Sequence, residues 1–305
     1  MNSFSNSETQ HLLSNAANSR ENTANSRKVS PAAPSFVADS CEEDTCEGCS
    51  ALTKAQLPPH WIRKHYPTVP TTMEMLSIDA APAGEVWMVS TDFQTRGHGQ
   101  RGTKWESDCG ENLMFTFVFS PQGVCATEQF YLSEIACLAV AQTLDAYVEG
   151  VSVKWPNDVY VGEHKICGML LNHQLRGTMV ESTMVGIGIN VNQPRFVSDA
   201  PNPISLWQLL GHRIDTEAVL ESFVRHFETL YALWLAGDKT RIATLYQQRL
   251  FRREGVHPYE DTATGERFLA TFEQVAPTGL LTLRDNAGDL RTFDFKAVKF
   301  QLDTP

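Results

Sequence analysis

The chain has 305 residues, of which 42% are hydrophobic and 20% are charged, and its formal net charge is -11. This length predicts about two domains, and the composition is that of a globular protein rather than a fibrous or wholly disordered one. No apolar run reaches the ~18–20 residues that a membrane span needs, which excludes an integral membrane protein. The acidic balance argues against a broad surface for nucleic acid phosphates.

The N-terminal segment, residues 1–60, is predicted to be a disordered extension, because it is rich in Ser and Asn and poor in aromatic residues. The seven cysteines follow no signal peptide, so we expect reduced thiols and a cytoplasmic location, with a mitochondrial one left open. Cys41, Cys46 and Cys49 form a C-x4-C-x2-C cluster in an acidic segment without a nearby His. We interpret this cluster as part of a solvated linker, with a metal or redox role as the alternative.

The globular part begins near residue 61 with alternating predicted strands and helices. Strands are predicted at 86–90, 113–119, 151–155, 165–171 and within 179–189, and the helical spacing of apolar residues predicts a helix over 128–149. A second amphipathic helix is predicted from seven residues at helical spacing: Leu220, Phe223, Val224, Phe227, Leu230, Tyr231 and Trp234. The pattern therefore predicts an α+β domain over 61–253.

The last fifty residues have a different pattern. Short alternating stretches are separated by Pro-Thr-Gly at 277–279 and Asn-Ala-Gly at 286–288, which are sequences typical of turns between strands. We expect residues 254–305 to form a small β-barrel.

The segment Gly-His-Gly-Gln-Arg-Gly at 97–102 matches the glycine pattern of dinucleotide-binding folds. That fold and the P-loop both require a helix directly afterwards, whereas a β-rich segment follows here, so both are rejected. The three glycines, with Arg101 and Lys104 beside them, favour a flexible lid over an anion. An ordinary surface loop is the alternative.

Three further motifs follow along the chain. Lys-Trp-Pro-Asn-Asp at 154–158 ends a strand, Lys165 enters a strand that contains Gly168, and Gly-Ile-Gly-Ile-Asn occupies 186–190. Glycine inside a strand often marks the close approach of a ligand or of another chain segment. Each motif has an ordinary structural explanation when it is taken alone.

Taken together, the four motifs resemble those of the biotin–protein ligases in order and approximate spacing. Thr71-Thr72-Met73 resembles the Ser/Thr pair that opens the catalytic domain of that family, and the FRREG tail resembles the start of its C-terminal domain. The resemblance covers residues 65–303. It implies an α+β fold in which a mixed sheet flanked by helices, the catalytic domain, is followed by a small SH3-like β-barrel.

The resemblance implies a two-step reaction. Biotin and MgATP give biotinyl-5′-AMP and pyrophosphate, and the adenylate then acylates one lysine of the biotin carboxyl-carrier domain of a carboxylase. ATP and Mg²⁺ are the implied cofactors, without a metal site built from protein side chains. We see no N-terminal helix-turn-helix and expect neither a repressor role nor a nucleic acid or membrane partner; a monomer and a homodimer both remain open. The alternatives are a lipoate–protein ligase and a non-catalytic binding protein with the same fold.

The family's functional residues carry over to matching positions. Lys165 and Arg101 would stabilise the joining of two anions, and Asp158 would act on the incoming lysine as a base or as an orienting group. The implied biotin contacts are Thr71, Thr72, Met73, Gln94, Gly97, His98, Gly99, Gln100, Trp105, Lys165 and Gly168. The implied ATP contacts are Arg101, Lys104, Lys154, Asn157 and Asn190.

The lid departs from the commonest bacterial pattern, which reads Gly-Arg-Gly-Arg-Arg-Gly. Here His98 and Gln100 replace two arginines. A neutral amide binds phosphate more weakly than a guanidinium does, because charge-assisted hydrogen bonds are about twice as strong. We therefore expect looser retention of the adenylate than in relatives with both arginines.

Overall fold

The structure is a computed structural model, and it describes residues 60–79, 84–99, 103–198 and 202–302. Three predictions lie outside these residues: the disordered extension before residue 60, the Cys41/Cys46/Cys49 cluster, and the lid contacts of Gln100 and Arg101. Of the helices in these ranges, none is both long and apolar enough to cross a membrane.

A mixed sheet forms the centre of the fold. Within the described ranges its strand order is β1-β2-β3-β7-β6-β5-β4. The strands are β1 His60–Val69, β2 Glu85–Gln94, β3 Leu113–Phe119, β4 Val151–Lys154, β5 Asp158–Val161, β6 His164–Arg176 and β7 Met179–Ile189. β1 pairs with β2 in parallel, and the remaining neighbours pair antiparallel.

Helices cover one face of this sheet. They are α1 Phe130–Leu144, α2 Leu206–Leu210, α3 Thr216–Leu235 and α4 Lys239–Gln248. The Phe residues of β3 meet α3 edge to face, with ring centroids 5.0 Å apart for Phe115 and Phe223 and for Phe117 and Phe227. Such aromatic pairs add to the free energy of burial, so this contact anchors the helical layer. The strand predicted at 113–119 and the helix predicted around Phe223 are confirmed.

The predicted helix over 128–149 is shorter in the structure. A 3₁₀ turn at Ala126–Glu128 precedes α1, which ends at Leu144. A tighter turn follows the helix, because the amide of Tyr147 donates to the carbonyl of Leu144, three residues back. Asp145, just past the end, pairs with Arg249, which follows α4. This distant partner was not visible in the local pattern.

A second sheet follows the helices. Its strands are antiparallel in the order β11-β10-β9-β8-β12, and they span β8 His257–Asp261, β9 Arg267–Val275, β10 Leu281–Asp285, β11 Leu290–Phe293 and β12 Val298–Phe300. Both predicted turns are confirmed, with Gly279 at φ +89° and Gly288 at φ +92°. The sheet is consistent with an SH3-like barrel, although β11 and β12 are not paired with each other in the described residues, so no closed barrel is formed.

A buried carboxyl on α1 makes a pH dependence of stability testable. Glu134 is buried, and its Oε2 has no hydrogen-bond partner in the described ranges. Burial raises the pKa of this carboxyl from 4.5 to about 8. The folded chain therefore binds a proton that the unfolded chain has lost between these pH values, so the contribution of Glu134 to the free energy of unfolding should fall as pH rises from about 4.5 to 8. Burial lowers the pKa of His173 from 6.5 to about 4, which acts in the opposite direction below about pH 6.5.

Glu134→Gln should remove this contribution to the slope. Since one pKa unit corresponds to about 1.4 kcal/mol, the variant should gain at most about 5 kcal/mol over the wild type at pH 8. Urea unfolding at a series of pH values measures the effect. The exposed Glu221 on α3 provides the control, Glu221→Gln, which should keep the wild-type slope. A difference in stability between Glu134→Gln and the wild type that stays constant from about pH 5 to pH 8 would contradict this account.

Candidate active site

Two glycines lie at the centre of a row of residues that crosses the sheet. Gly188 of β7 pairs with Gly168 of β6, Met114 of β3 lies opposite Gly188, and Asp158 of β5 lies opposite Gly168. Residues directly opposite on neighbouring strands share a face. Because side chains alternate along a strand, this face is the one opposite to that of Phe115, which packs on α3. We call the Gly168–Gly188 pair the glycine trough.

The indole of Trp105 lies on the glycine trough. A Cβ atom added to Gly188 would lie 2.6 Å from two carbons of the indole, and one added to Gly168 would lie 3.3 Å from it. Only glycine at position 188 therefore lets the ring lie this close to the sheet. The indole Nε1 is buried and has no acceptor in the part of the chain that the structure describes. An unmet buried donor costs about 1–3 kcal/mol, which a ligand with an acceptor would recover.

An ion pair lies at one end of the trough. Lys165 Nζ is 2.6 Å from Asp158 Oδ1, and the two side chains are 29% and 26% exposed. The same Nζ is 3.1 Å from the position of a Cβ on Gly168. The space beside Gly168, a predicted biotin contact, is thus bordered by Lys165 and Trp105. Both charges remain accessible from solvent.

A polar network lies on the opposite side of the row, beyond Met114. Gln94 Oε1 accepts hydrogen bonds from the amide of Thr72 at 2.7 Å and from its hydroxyl at 3.2 Å. The hydroxyls of Thr72 and Thr116 are 2.7 Å apart, and both side chains are buried. Gln94 Nε2 donates to the thioether of Met114 at 3.4 Å, which is a weak acceptor. Part of this amide therefore remains available to a better partner.

Thr71 and Met73 extend this network along the 3₁₀ turn Thr72–Met75. The side chain of Thr71 caps the turn by accepting from the amide of Met73. Met73 packs over Gly186, where a Cβ would lie 3.0 Å from its sulfur. The predicted biotin contacts Thr71, Thr72, Met73 and Gln94 thus lie together. Thr116 was not identified from the sequence, because only its pairing with Gly186 brings it to this place.

The described residues on the two sides of the predicted lid, 97–99 and 103–105, pair with each other. Gly99 N donates to Thr103 O at 2.6 Å, and Trp105 N donates to Gly97 O at 3.0 Å. His98 and Lys104 face each other in this ladder, and both are exposed. Gly97 also approaches Gln94, whose Nε2 is 3.1 Å from the position of a Cβ on this glycine. The ladder therefore connects the polar network to Trp105.

The segment after Trp105 is held by contacts that the sequence did not indicate. The Glu106 carboxylate accepts from the amides of Val197 at 2.7 Å and Ser198 at 2.9 Å. Burial opposes ionisation of Glu106, but hydrogen bonds from the Ser198 side chain and from the two amides, together with the charge of Lys104, outweigh it and lower the pKa of the carboxyl. Asp108 and Gln193 exchange two hydrogen bonds, at 2.8 and 2.9 Å. Trp105 is thus fixed from its C-terminal side.

Three residues that were predicted to contact ATP make hydrogen bonds to other groups of the protein in this structure. Asn157 Nδ2 donates to the carbonyl of Met169, and Asn190 Nδ2 donates to the carbonyl of Ile204 at 3.0 Å. Lys154 Nζ donates to the hydroxyl of Tyr160 at 3.1 Å, and burial lowers its pKa. Contact of these three residues with ATP stays a prediction.

The chain is similar to known proteins in sequence and in fold. Residues 66–192 match the model of the biotin/lipoate A/B protein ligase family, which defines the class of the catalytic fold. The biotin–[acetyl-CoA-carboxylase] ligase of Paracoccus denitrificans is 31% identical over 228 residues, which are 72% of this chain and 92% of that protein. The chain belongs to the biotin–protein ligase family.

Other relatives agree with this placement. The bifunctional ligase/repressor BirA of Bacillus spizizenii is 31% identical over 183 residues, 58% of this chain; the match spans about half of BirA, 54%. The biotin protein ligase of Aquifex aeolicus, solved in complex with biotin and ATP, superposes with a TM-score of 0.65 at 21% identity. The superposition covers 80% of this chain and 99% of the Aquifex chain, and it shows that the fold is shared.

Proposed function

We propose that this chain is an ATP-dependent biotin–protein ligase, which forms biotinyl-5′-AMP and transfers biotin to a lysine of a carboxylase carrier domain. The observation that carries the proposal is the arrangement around the glycine trough. An ion pair, Lys165 and Asp158, lies at one end, and an amide and hydroxyl network around Gln94 lies at the other. Trp105 covers the space between them.

The network around Gln94 suits the ureido ring of biotin. That ring presents one carbonyl acceptor and two N–H donors, and its recognition requires complementary groups in a largely apolar slot. Gln94 Nε2 supplies a donor that is now used only on a thioether among the described residues, and the hydroxyls of Thr72 and Thr116 supply acceptors. Met73 and Met114 supply apolar surface. Biotin would then extend its carboxylate towards Lys165.

The first step joins the biotin carboxylate to the α-phosphate of ATP, with release of pyrophosphate. These two groups are both anionic, so a fixed cation is needed where they meet. Lys165 Nζ, held by Asp158 at 2.6 Å and partly open to solvent, can turn from this carboxylate to the ligands. Arg101 in the lid would supply the second cation.

Magnesium fits this site as a companion of ATP. Among the described residues no group of three or more His, Cys, Asp and Glu side chains is arranged to hold a metal ion. Mg²⁺ usually keeps several waters and binds substrate phosphates together with one or two carboxylates. We therefore propose that the phosphates of ATP carry it. When bound, Mg²⁺ would neutralise part of the negative charge of these phosphates.

In the second step the amine of the acceptor lysine attacks the acyl carbon of the mixed anhydride; the amide bond forms, the bond from the acyl carbon to the phosphate oxygen breaks, AMP leaves, and the amine proton is released to solvent. Asp158 lies beside Lys165 and is 26% exposed, so an ammonium or amine arriving at the trough meets a carboxylate. We infer that Asp158 orients this amine. The aspartate would shift its ion pair from Lys165 to the incoming lysine.

The test of the function is transfer of biotin to a carboxylase carrier domain, detected with streptavidin after incubation with ATP. Lipoate with a lipoyl-carrier domain serves as the parallel reaction. We expect biotin transfer that depends on ATP, and little lipoate transfer. If lipoate is transferred and biotin is not, the chain is a lipoate–protein ligase. If neither is transferred, the result supports a non-catalytic binding protein.

Thr72→Val tests the biotin slot. The substitution keeps the shape of the side chain but removes a buried hydroxyl that bonds to Gln94 and Thr116. A lost buried hydrogen bond of this kind costs about 1–3 kcal/mol. We expect the KM for biotin to rise about tenfold or more, with little change in the KM for ATP.

The matched control for Thr72→Val is Thr143→Val on α1. Thr143 is also buried, and its hydroxyl donates to the carbonyl of Ala139 at 2.8 Å, within the helix. This variant should lose stability without a selective change in either KM. Equal increases in the KM for biotin and the KM for ATP in Thr72→Val would count against the placement of biotin here.

A further inference from the structure

The turn at 277–279 in the second sheet touches the motif that leads into Asp158. The indole Nε1 of Trp155 donates to the carbonyl of Gly279 at 2.9 Å, and the Trp155 side chain is only 4% exposed. The ring of Phe295 packs against Trp155, with the centroids 5.5 Å apart. The second sheet therefore holds Trp155 by one hydrogen bond and one aromatic contact.

Position 279 imposes two requirements, a positive φ and the absence of a Cβ, and only glycine meets both. Its φ of +89° is a conformation that residues with a Cβ rarely adopt. In addition, a Cβ at this position would lie 2.7 Å from Phe130 and 2.8 Å from Phe295. Gly288, in the next turn of the same sheet, has a similar φ of +92° but nothing within 4 Å of its Cβ position. The close packing at Gly279 is thus not a general property of the turns in this sheet.

The rest of the segment 154–158 is also held at each residue. The carbonyl of Pro156 accepts from the hydroxyl of Tyr246 at 3.0 Å, and the carbonyl of Asn157 accepts from the amide of Met169 at 3.2 Å. Lys154 Nζ lies 5.5 Å from the ring centroid of Phe300 in β12. Four of the groups that fix this segment therefore come from α4 and the second sheet: the hydroxyl of Tyr246, the carbonyl of Gly279 and the rings of Phe295 and Phe300.

Asp158 follows Trp155 by three residues and carries the ion pair with Lys165. Residues 155–157 form the turn that joins β4 to β5, with Lys154 paired to Asp158 across it, so a shift at Trp155 is passed to Asp158 through a single turn. Catalytic groups lose about a hundredfold in rate when they are misplaced by about 1 Å. The position of Gly279 thus bears on the chemistry at the trough without contact with any ligand.

We propose that the turn at 277–279 positions the segment 154–158, and that Gly279 is a positioning residue for Asp158 and Lys165. The proposal rests on the proposed function for its effect on rate. The coupling between the turn and the segment is a property of the folded chain, which a second measurement reads independently of activity.

The test compares Gly279→Ala with Gly288→Ala in the whole 305-residue chain. Both substitutions place a Cβ at a positive φ in the second sheet, but only the first meets aromatic rings. We measure the amide exchange of Met169, which donates to the carbonyl of Asn157, and the rate of biotin-dependent pyrophosphate release. In Gly279→Ala we expect exchange faster by about tenfold and kcat lower by about tenfold, with the KM for biotin unchanged. Gly288→Ala should match the wild type in all three.

Trp155→Phe is the second variant, in case Gly279→Ala does not fold. It keeps an aromatic ring but removes the indole donor and part of the ring system, and it should shift the exchange of Met169 and kcat in the same direction. Equal behaviour of Gly279→Ala and Gly288→Ala, or wild-type values in Trp155→Phe, would overturn the proposal. A wild type that releases no pyrophosphate would refute the proposed function, and the exchange of Met169 would still decide whether the turn positions the segment.

Discussion

Lys165→Ala should nearly abolish the release of pyrophosphate that depends on biotin. Lys165 Nζ is the cation at the end of the glycine trough, 2.6 Å from Asp158. Removal of one preorganised group that stabilises charge in a transition state typically lowers kcat by about a hundred- to a thousandfold. Pyrophosphate release, coupled to a pyrophosphatase and a phosphate assay, measures this step without a carrier domain.

The control for Lys165→Ala is Lys299→Ala. Lys299 on β12 also pairs with a carboxylate, Glu260, at 3.3 Å, but its side chain is 64% exposed and lies outside the trough. This variant should release pyrophosphate at the wild-type rate. Near-normal adenylation by Lys165→Ala would refute the role assigned to this lysine.

Asp158→Asn should impair the second step most clearly. The substitution keeps the size of the side chain and removes the charge that would orient the incoming lysine. Loss of a group that assists the attacking amine typically costs about a hundredfold or more. The step is isolated by supplying synthetic biotinyl-5′-AMP and measuring single-turnover transfer to a carrier domain.

The pH dependence of this transfer separates orientation from proton abstraction. A loss of similar size at each pH supports orientation, whereas a shifted pH–rate profile supports a base. Asp145→Asn provides the control, because it weakens an ion pair with Arg249 that lies beyond α1 and away from the trough. A variant Asp158→Asn with the wild-type transfer rate at all pH values would remove Asp158 from the mechanism.

Several elements were predictable from the sequence because their patterns are local. The apolar run of β3, the helical spacing of α3 and the two glycine turns of the second sheet each carry their signal within a few residues. β1 was missed, because it is a largely exposed edge strand with Arg63, Lys64 and Pro67. Charged residues and proline are typical of such edges and hide the alternation of a strand.

The candidate site was predictable only as a set of residues. The motifs indicated Gln94, Lys165 and Asp158, but not that Gln94 lies at one end of the glycine trough and the Lys165–Asp158 ion pair at the other. The pairing of Gly188 with Gly168 and the place of Trp105 on them depend on strand register. The contact of Lys154 with the ring of Phe300 could not be predicted either, because the two residues are far apart in the sequence.

By itself, the sequence determined the residue types of the site, most of the strands and helices, and the family. Turn residues, apolar periodicity and short motifs act over a few neighbours, and a linear pattern records them directly. Only the tertiary structure decided that the indole of Trp105 rests on two glycines and that Gly279 reaches Trp155, 124 positions away. Such contacts depend on strand register and on packing between distant segments, which local sequence does not encode.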